Sequence, residues 1–531
     1  MDLRTFKMSA AIKRVALIAA AGMIPASVLA DEVTLKSADG TVNLVGEFVE
    51  FKDDNYVIRT ALGNLRISAA RVRCEGAACP VFETEAADVV FVGSDTLGVG
   101  MMPLVLSGYA SFLDAEASVK ATGKEGETLA NFIGDGGFGD EIGSYLVTST
   151  SSNEAFSALL DKSAQLGLSA RRILPSEARQ LKADGAGNMI DPRQEHIIAV
   201  DSLVIITHPD NPVNSMTMEQ VADVYSGRIT NWAELGGADL PIKVVTRQPD
   251  SGTRTVFESA IYGDAAETTQ TIGEIANDSN TMAAMVNDNP SAIGFVGYAF
   301  QRGAKPMSLV NACGIEATPD AFSAKTEEYP LERRLYVYNR ADTTDEATQD
   351  FLKYALSEDA DGVIAKSGFI DLGIKRKPME MDSNRAKLLL DPSADAYEGG
   401  VMREMLSEMI NYDRLSTTFR FRTGSSKLDE RGVIDMQRLV NYLEKEAEGT
   451  EVKLVGFTDD VGAFDSNRQL SVNRASEVLD TLMQFSEGRL ENINFSVSGF
   501  GEVAPAACNI TDKGKSINRR VEVWIQAQQQ G

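Results

Sequence analysis

Histidine is nearly missing from this chain: His196 and His208 are the only two in 531 residues. Neither stands in a spacing that gathers metal ligands, which argues against a zinc hydrolase and against a Ser-His-Asp nucleophile. Cysteine is scarce too, and four residues do not make a disulfide scaffold. Cys74 and Cys79 flank a short loop, and that spacing predicts a bridge, whereas Cys313 and Cys508 read either as free buried thiols or as a long-range pair. Positive charge is in deficit. Against 77 Asp and Glu there are 51 Lys and Arg, a formal net charge of −26, so nucleic acid and anionic membranes are poor partners. A small anion is still allowed, because surface charges are screened beyond about 8 Å at physiological salt and local donors decide. After the first thirty residues no run is long and apolar enough to span a bilayer.

What is present begins with an address. Arg4, Lys7, Lys13 and Arg14 precede an apolar stretch at 15–24, and Pro25 with Val28-Leu29-Ala30 supplies a small-residue cleavage site before Asp31. Residues 1–30 are therefore expected to be a signal peptide and the mature chain to be exported. With 43% apolar and 24% charged residues the remainder is globular. Its length predicts about three domains. Residues 31–82 read as a small β module, with short strand-like runs separated by turn residues.

From 83 to 375 strands alternate with helices, the pattern of an α/β domain. The most informative stretch is Thr246-Arg247-Gln248-Pro249-Asp250-Ser251-Gly252-Thr253. An apolar strand precedes it and a helical spacing of Val256, Phe257, Ala260 and Ile261 follows it. Ser251, Gly252 and Thr253 thus fall on a strand-to-helix turn, where the first N–H groups lack partners and the helix dipole favours an anion. Gly252 lets a ligand approach the backbone, the hydroxyls donate, and Arg247 offers a bidentate fork. The same device recurs at Ser94-Asp95-Thr96, at Ser151-Ser152 and at Ser169-Ala170-Arg171. One such turn is an ordinary helix cap. Four of them, accompanied by two arginines, point to one oxyanion site.

Here the sequence resembles the PstS-type periplasmic phosphate-binding proteins, a class of two-lobed solute receptors. Ile198 to Ile206 followed by His208-Pro209-Asp210 looks like that family's crossover strand, and Ile229-Thr230-Asn231-Trp232 like its signature. Ala292 to Tyr298 resembles its late strand and turn. The resemblance implies that Ser94, Asp95, Thr96, Ser151, Ser152, Ser169, Arg171, Arg247, Ser251, Gly252 and Thr253 surround the anion. Asp95 is either the acceptor for the proton of hydrogen phosphate or a turn residue.

Between 376 and 415 pattern is lost around Pro378 and Asp391-Pro392, so a linker is expected, with an amphipathic helix on Met402, Met405, Leu406, Met409 and Ile410. A flexible linker of about forty residues spans roughly 35 Å. Residues 416–531 carry Gly456-Phe457-Thr458-Asp459, Asn467, Leu470-Ser471, Arg474-Ala475, Gly499-Phe500-Gly501-Glu502 and Asn518-Arg519-Arg520-Val521-Glu522. This set resembles the OmpA-like peptidoglycan-binding domain, an α+β fold. The resemblance implies that Asp459 takes the ammonium and Arg474 the carboxylate of diaminopimelate in the cell-wall peptide, with Asn467 and Arg519 supporting. A zwitterion needs such a fixed anion and planar cation held apart on rigid elements. Along the 464–486 region Leu470, Val478, Leu479 and Leu482 are expected inward and Arg474 outward.

The whole reads as a multidomain α/β protein: a β module, a two-lobed binding domain and an OmpA-like domain. The expected function is an exported oxyanion receptor, reservoir or sensor, for inorganic phosphate first, in the periplasm of a Gram-negative bacterium. It would be attached to the wall, associated with the outer membrane, and served by an inner-membrane ABC permease. Neither metal nor cofactor is expected. The alternative is a structural or docking protein on a peptidoglycan anchor. A hydrolase with Ser251 as nucleophile has no evident base.

Overall fold

The protein is described from a computed structural model, which covers residues 32–36, 43–52, 55–61, 63–69, 72–76, 78–79, 87–266, 268–343, 345–381, 383–390, 396–421 and 430–527. The expected signal peptide lies outside the described residues. Among those described, no helix is long and apolar enough to cross a membrane.

The described residues between 32 and 79 form one compact unit. Its five-stranded antiparallel sheet runs in the order Gly63–Ser68, Asn55–Thr60, Asn43–Lys52, Glu32–Lys36, Arg73–Glu75. Alternation buries Val33 with Leu35 and Tyr56 with Ile58, the two-residue period of a half-buried strand. Cys74 and Cys79 are joined, their Cα atoms 5.8 Å apart.

The described residues of the second unit, within 83–531, build two large cores and smaller ones beside them. The first core follows a mixed sheet in the order Glu274–Ala276, Lys243–Arg247, Ala292–Gly297, Glu195–Thr207, Glu332–Asn339, Leu166–Ser169, Val89–Ser94, Glu141–Thr150, Glu127–Ile133, Glu116–Ala121. Glu195–Thr207 is long enough to serve two lobes. Its first part pairs with Glu332–Asn339, and Leu203 to Thr207 pair with Ala292–Gly297. The lobes are joined through this strand, which explains its unbroken burial from Ile198 to Thr207. Lobe one holds Val89–Ser94 with its parallel neighbours Leu166–Ser169 and Glu141–Thr150. Lobe two holds Lys243–Arg247, parallel to Glu274–Ala276 and to Ala292–Gly297. Its centre is the Phe257 ring stacked on Phe295, centroids 3.9 Å apart, with Tyr225 edge-on. Trp232 is buried and donates its indole N–H to the Ser291 carbonyl.

The C-terminal sheet runs Arg376–Pro378, Tyr412–Arg420, Arg520–Gln526, Glu451–Gly456, Asn494–Gly499. Helices Glu430–Leu443 and Phe464–Ser486 supply one core with Met436, Leu439, Val440, Val478 and Leu482. The other face is covered by the segment expected as a linker. Arg376–Pro378 adds a strand to the sheet, and the helix Glu398–Met409 packs Val401, Met405 and Met409 against Phe457, Phe500 and Trp524. Those methionines and that edge strand have partners within reach, so the described parts of the segment are folded onto the domain and are not a free 35 Å tether. Ile410, expected on the apolar stripe, is exposed.

The C-terminal domain touches both lobes of the first. Arg438 binds Asp361 at 2.5 Å, and Asn441 and Lys445 bind Glu358, on the lobe-one helix Glu358–Lys366. Arg420 meets Glu327 at 2.8 Å and Arg414 forks onto Glu328, just before the strand Glu332–Asn339 that pairs with the shared strand. Of the two states open for Cys313 and Cys508, the structure takes the long-range pair. They are bonded with Cα atoms 5.6 Å apart, connecting a lobe-two hairpin to the C-terminal domain.

Candidate functional site

Parallel strands that end together bring their following helices' N-termini together, so ligands of α/β sheets collect at strand carboxyl ends. Here Val89–Ser94 and Leu166–Ser169 end on one side of the cleft and Lys243–Arg247 on the other. Ser94 precedes the short helix Asp95–Gly98, Ser151 caps Ser152–Asp161, and Ser251 caps Gly252–Tyr262 by accepting from Arg254 N. Thr255 makes the first backbone bond back, to Ser251, which leaves the Gly252 and Thr253 amides as the opening donors of that helix.

The two sides meet. Thr96 Oγ1 from lobe one lies 3.4 Å from Thr253 Oγ1 of lobe two. Arg247 donates across the cleft to Asp95 Oδ2 at 2.8 Å, and is held from its own lobe by Ser279 Oγ and the Asn277 carbonyl. Asp95 Oδ1 also accepts from Thr96 N. Ser152 and Gly252 are in contact: a methyl group on Gly252 would overlap Ser152 Oγ and stand 2.9 Å from its Cβ. Ser94, Thr96, Ser152, Arg247, Ser251 and Thr253 are all buried. Arg247 Nε has no acceptor among the described residues, a polar group that burial makes costly unless something accepts from it.

Three expected ligands have partners within lobe one. Arg171 forks onto Glu177 at 2.9 and 2.6 Å, donates to Asn153, and lies over the Phe156 ring. Those partners brace the guanidinium against lobe one, and its Nε, like that of Arg247, has no acceptor among the described residues. Ser169 Oγ is spent on the Arg171 carbonyl at 2.7 Å, so it shapes this turn. Ser151 is half-buried and accepts from Glu154 N as an ordinary cap.

One residue of the site escaped the reading from sequence. Arg333 is buried, places Nε and Nη2 on Asp201 Oδ2 at 2.9 and 2.7 Å, and donates Nη1 to Thr253 Oγ1 at 2.8 Å. Asp201 is fully buried on the shared strand, directly opposite Arg333. The available signal was a lone carboxylate inside Ile198 to Ile206, where a buried charge needs a partner.

The C-terminal candidates also converge. Asp459 Oδ2 accepts from Arg519 Nη1 at 2.6 Å, and Asn467 bridges the Asp459 carbonyl and Glu502. Arg474, expected outward, points inward. The buried stripe of its helix runs Asn467, Ser471, Arg474, Ala475, Val478, Leu482, whereas Leu470 is exposed. The helix thus turns a polar stripe inward at its N-terminal end, where hydrophobic spacing alone misassigns it. Arg474 lies over Phe421 and leaves Nη1 without an acceptor among the described residues. Burial pushes its guanidinium below the ordinary arginine range, Asp459 opposing that and Arg519 adding to it. Two guanidiniums against one carboxylate leave a fork for a further carboxylate.

Comparison with known proteins agrees with this division. Residues 128–359 match the PBP superfamily domain, a range that begins after Ser94 to Thr96. Residues 420–519 match the OmpA family. The phosphate-binding protein PstS of Bacillus subtilis is 32% identical over 177 residues, 33% of this chain and 57% of that protein. Outer membrane porin F of Pseudomonas aeruginosa is 34% identical over 115 residues, 22% of this chain and 32% of that protein. The match thus spans little over half of the first relative's length and a third of the second's. An ABC-type phosphate transport receptor from Vibrio cholerae is 24% identical, with 53% of this chain and 99% of that one covered at a TM-score of 0.39.

Proposed function

We propose, for a chain that joins a PBP superfamily domain to a C-terminal OmpA family domain, that one protein both binds an oxyanion and holds the cell wall. The anion is hydrogen phosphate. The observation that carries this is the meeting of Thr96 and Asp95 from one lobe with Thr253 and Arg247 from the other. Hydroxyls, the first amides of Gly252–Tyr262 and two guanidiniums supply donors, and Asp95 supplies an acceptor for the ligand's proton. Sulfate has no such proton and would leave two acceptors facing each other, so it should bind more weakly. The lobes open and close about the strands that join them. The protein acts as a receptor, reservoir or sensor that does no bond-making chemistry and passes its ligand to an inner-membrane ABC permease.

Titration of the full chain with phosphate and sulfate by calorimetry tests this. The sharpest variant is Gly252→Ala, whose methyl would meet Ser152 of the opposite lobe. Phosphate affinity should fall about tenfold or more, the size of effect expected from overpacking by 1–3 kcal/mol, while the melting temperature without ligand stays near the parent's. Unchanged affinity would place closure elsewhere. No heat with either anion would leave the domain as an envelope spacer.

For the second domain, Asp459, held by Arg519, receives the ammonium of a diaminopimelate stem peptide and Arg474 its carboxylate. The protein is thereby fixed to peptidoglycan in the periplasm of a Gram-negative bacterium, near the outer membrane. Purified sacculi should sediment the parent chain. Asp459→Ala and Arg474→Met should each stay largely in the supernatant, as removal of one charged partner costs about 2 to 5 kcal/mol. Co-sedimentation equal to the parent's would refute the assignment.

A further inference from the structure

A cleft of about 260 Å³ opens where the lobe-two hairpin, the segment after Arg376 and the C-terminal domain come together, away from both sites above. Arg385, Arg414 and Arg520 stand at its inner end. Arg414 and Arg520 are more than nine-tenths buried. They share two carboxylates. Glu522 accepts from Arg385 at 2.9 and 3.1 Å and from Arg520 at 2.8 Å, and Glu328 accepts from Arg414 at 3.2 and 2.6 Å. Three guanidiniums against two carboxylates leave one positive charge in excess within this cluster, which also rests on the rings of Phe322, Phe457 and Trp524. Each arginine also keeps an N–H without an acceptor among the described residues: Nε of Arg385 and Arg414, and Nη1 of Arg520. Burial, with help from Arg385 and Arg414, pushes the Arg520 guanidinium down to about 10 despite Glu522.

The remainder of the cleft sets the ligand's shape and charge. Met379, Leu388, Met409 and Pro505 give it an apolar wall. At the mouth Lys377 is paired with Asp320 at 3.6 Å, and Glu316 and Glu380 are exposed. A dianion would more than cancel the single excess charge beside Glu522 and Glu328 and would meet an acidic rim. A monoanion balances it. Buried charges are stable when paired and hydrogen-bonded, and costly otherwise. At about 260 Å³ the space falls just below the roughly 300 Å³ at which common ligand pockets begin.

We propose that this cleft binds a small organic monocarboxylate, its carboxylate accepting from the guanidiniums of Arg385, Arg414 and Arg520 that line the cleft and its aliphatic body lying along Met379, Leu388 and Met409. The probes are butyrate, octanoate and dodecanoate, with octan-1-ol as the uncharged control, titrated into the full chain by calorimetry and followed by thermal unfolding. At least one acid should bind about tenfold or more tightly than octanol, as a charge-assisted bond implies, and raise the melting temperature. Arg414→Met should abolish that binding but risks the fold. Thr318→Trp tests the site without that risk. Thr318 is exposed and lines the mouth, so the indole should block entry and weaken the acid about tenfold or more while the unliganded melting temperature holds. Absence of binding by all three acids, equal binding of octanol, or full binding by Thr318→Trp each overturns the proposal.

Discussion

Arg333→Met is expected to cost the folded protein about 3 to 5 kcal/mol and to lower phosphate affinity by about a hundredfold. The stability figure follows from the pair it breaks. Arg333 and Asp201 are both buried, on adjacent strands and in direct register, and removing one partner of such a pair strands an uncompensated charge. Asp201 Oδ1 would still accept from Ser202 N and Tyr298 N, but Oδ2 would lose both of its guanidinium bonds. The affinity figure follows from Thr253. Its hydroxyl accepts from Arg333 Nη1, which leaves its own proton free to be donated into the cleft. Without Arg333 that orientation goes, along with a nearby positive charge, and charged hydrogen bonds contribute about 1.5–3 kcal/mol each. The double variant Asp201→Asn, Arg333→Met separates the effects. Denaturant unfolding should recover most of the lost stability, whereas calorimetry should still find weak binding. Parent-like affinity in the single variant would show that Arg333 belongs to the hinge alone.

Glu522→Gln should destabilise the C-terminal domain by a similar amount, about 3 to 5 kcal/mol. Glu522 is fully buried and accepts from Arg385 and Arg520 and from the Trp524 indole, with Arg414 at 3.3 Å. An amide keeps the shape and removes the charge that three guanidiniums share. The pH dependence is the sharper check. Burial pushes the Glu522 carboxyl up, but Arg385, Arg414 and Arg520 together overcome that and hold it well below the usual carboxylate range. A carboxyl lowered on folding contributes stability that is fully present above its unfolded value, about 4.3, and is lost as pH falls toward the folded one. The parent should therefore lose stability steeply from about pH 4 downward, and Glu522→Gln should follow a flatter acid limb from a lower plateau. Parallel limbs in urea titrations between pH 7 and pH 2 would assign the acid sensitivity to other carboxylates.

The parts of the site visible in the sequence are those made by consecutive residues. A strand, a hydroxyl turn and a helix in succession fix where Ser94, Thr96, Ser251, Gly252 and Thr253 sit, because local hydrogen bonding and helix ends follow from adjacent residues. Arg247 was legible for the same reason. The pairing of Arg171 was not, since Glu177 takes its guanidinium six residues on and nothing in the turn announces it. Arg333 depends on pairing between strands 132 residues apart, which no local pattern encodes. Arg474 shows a different failure. Hydrophobic spacing sets a helix's rotation only where its buried stripe is apolar, and this stripe turns polar toward Asn467. The fold of the C-terminal domain was readable strand by strand. That the segment from Arg376 to Met409 would complete its sheet and cover Trp524 was not, because an edge strand of three residues carries too little pattern.

The bond between Cys313 and Cys508 ties residues 195 apart in sequence. In the chain-entropy picture a loop of that size removes roughly 5 kcal/mol of freedom from the unfolded ensemble. It also gives lobe two a covalent foothold on the C-terminal domain, on which lobe one already rests through Asp361 and Glu358. Both jaws of the clamp therefore stand on one pedestal. How far they gape is limited by the give of those footings as well as by the bending of the strands between them.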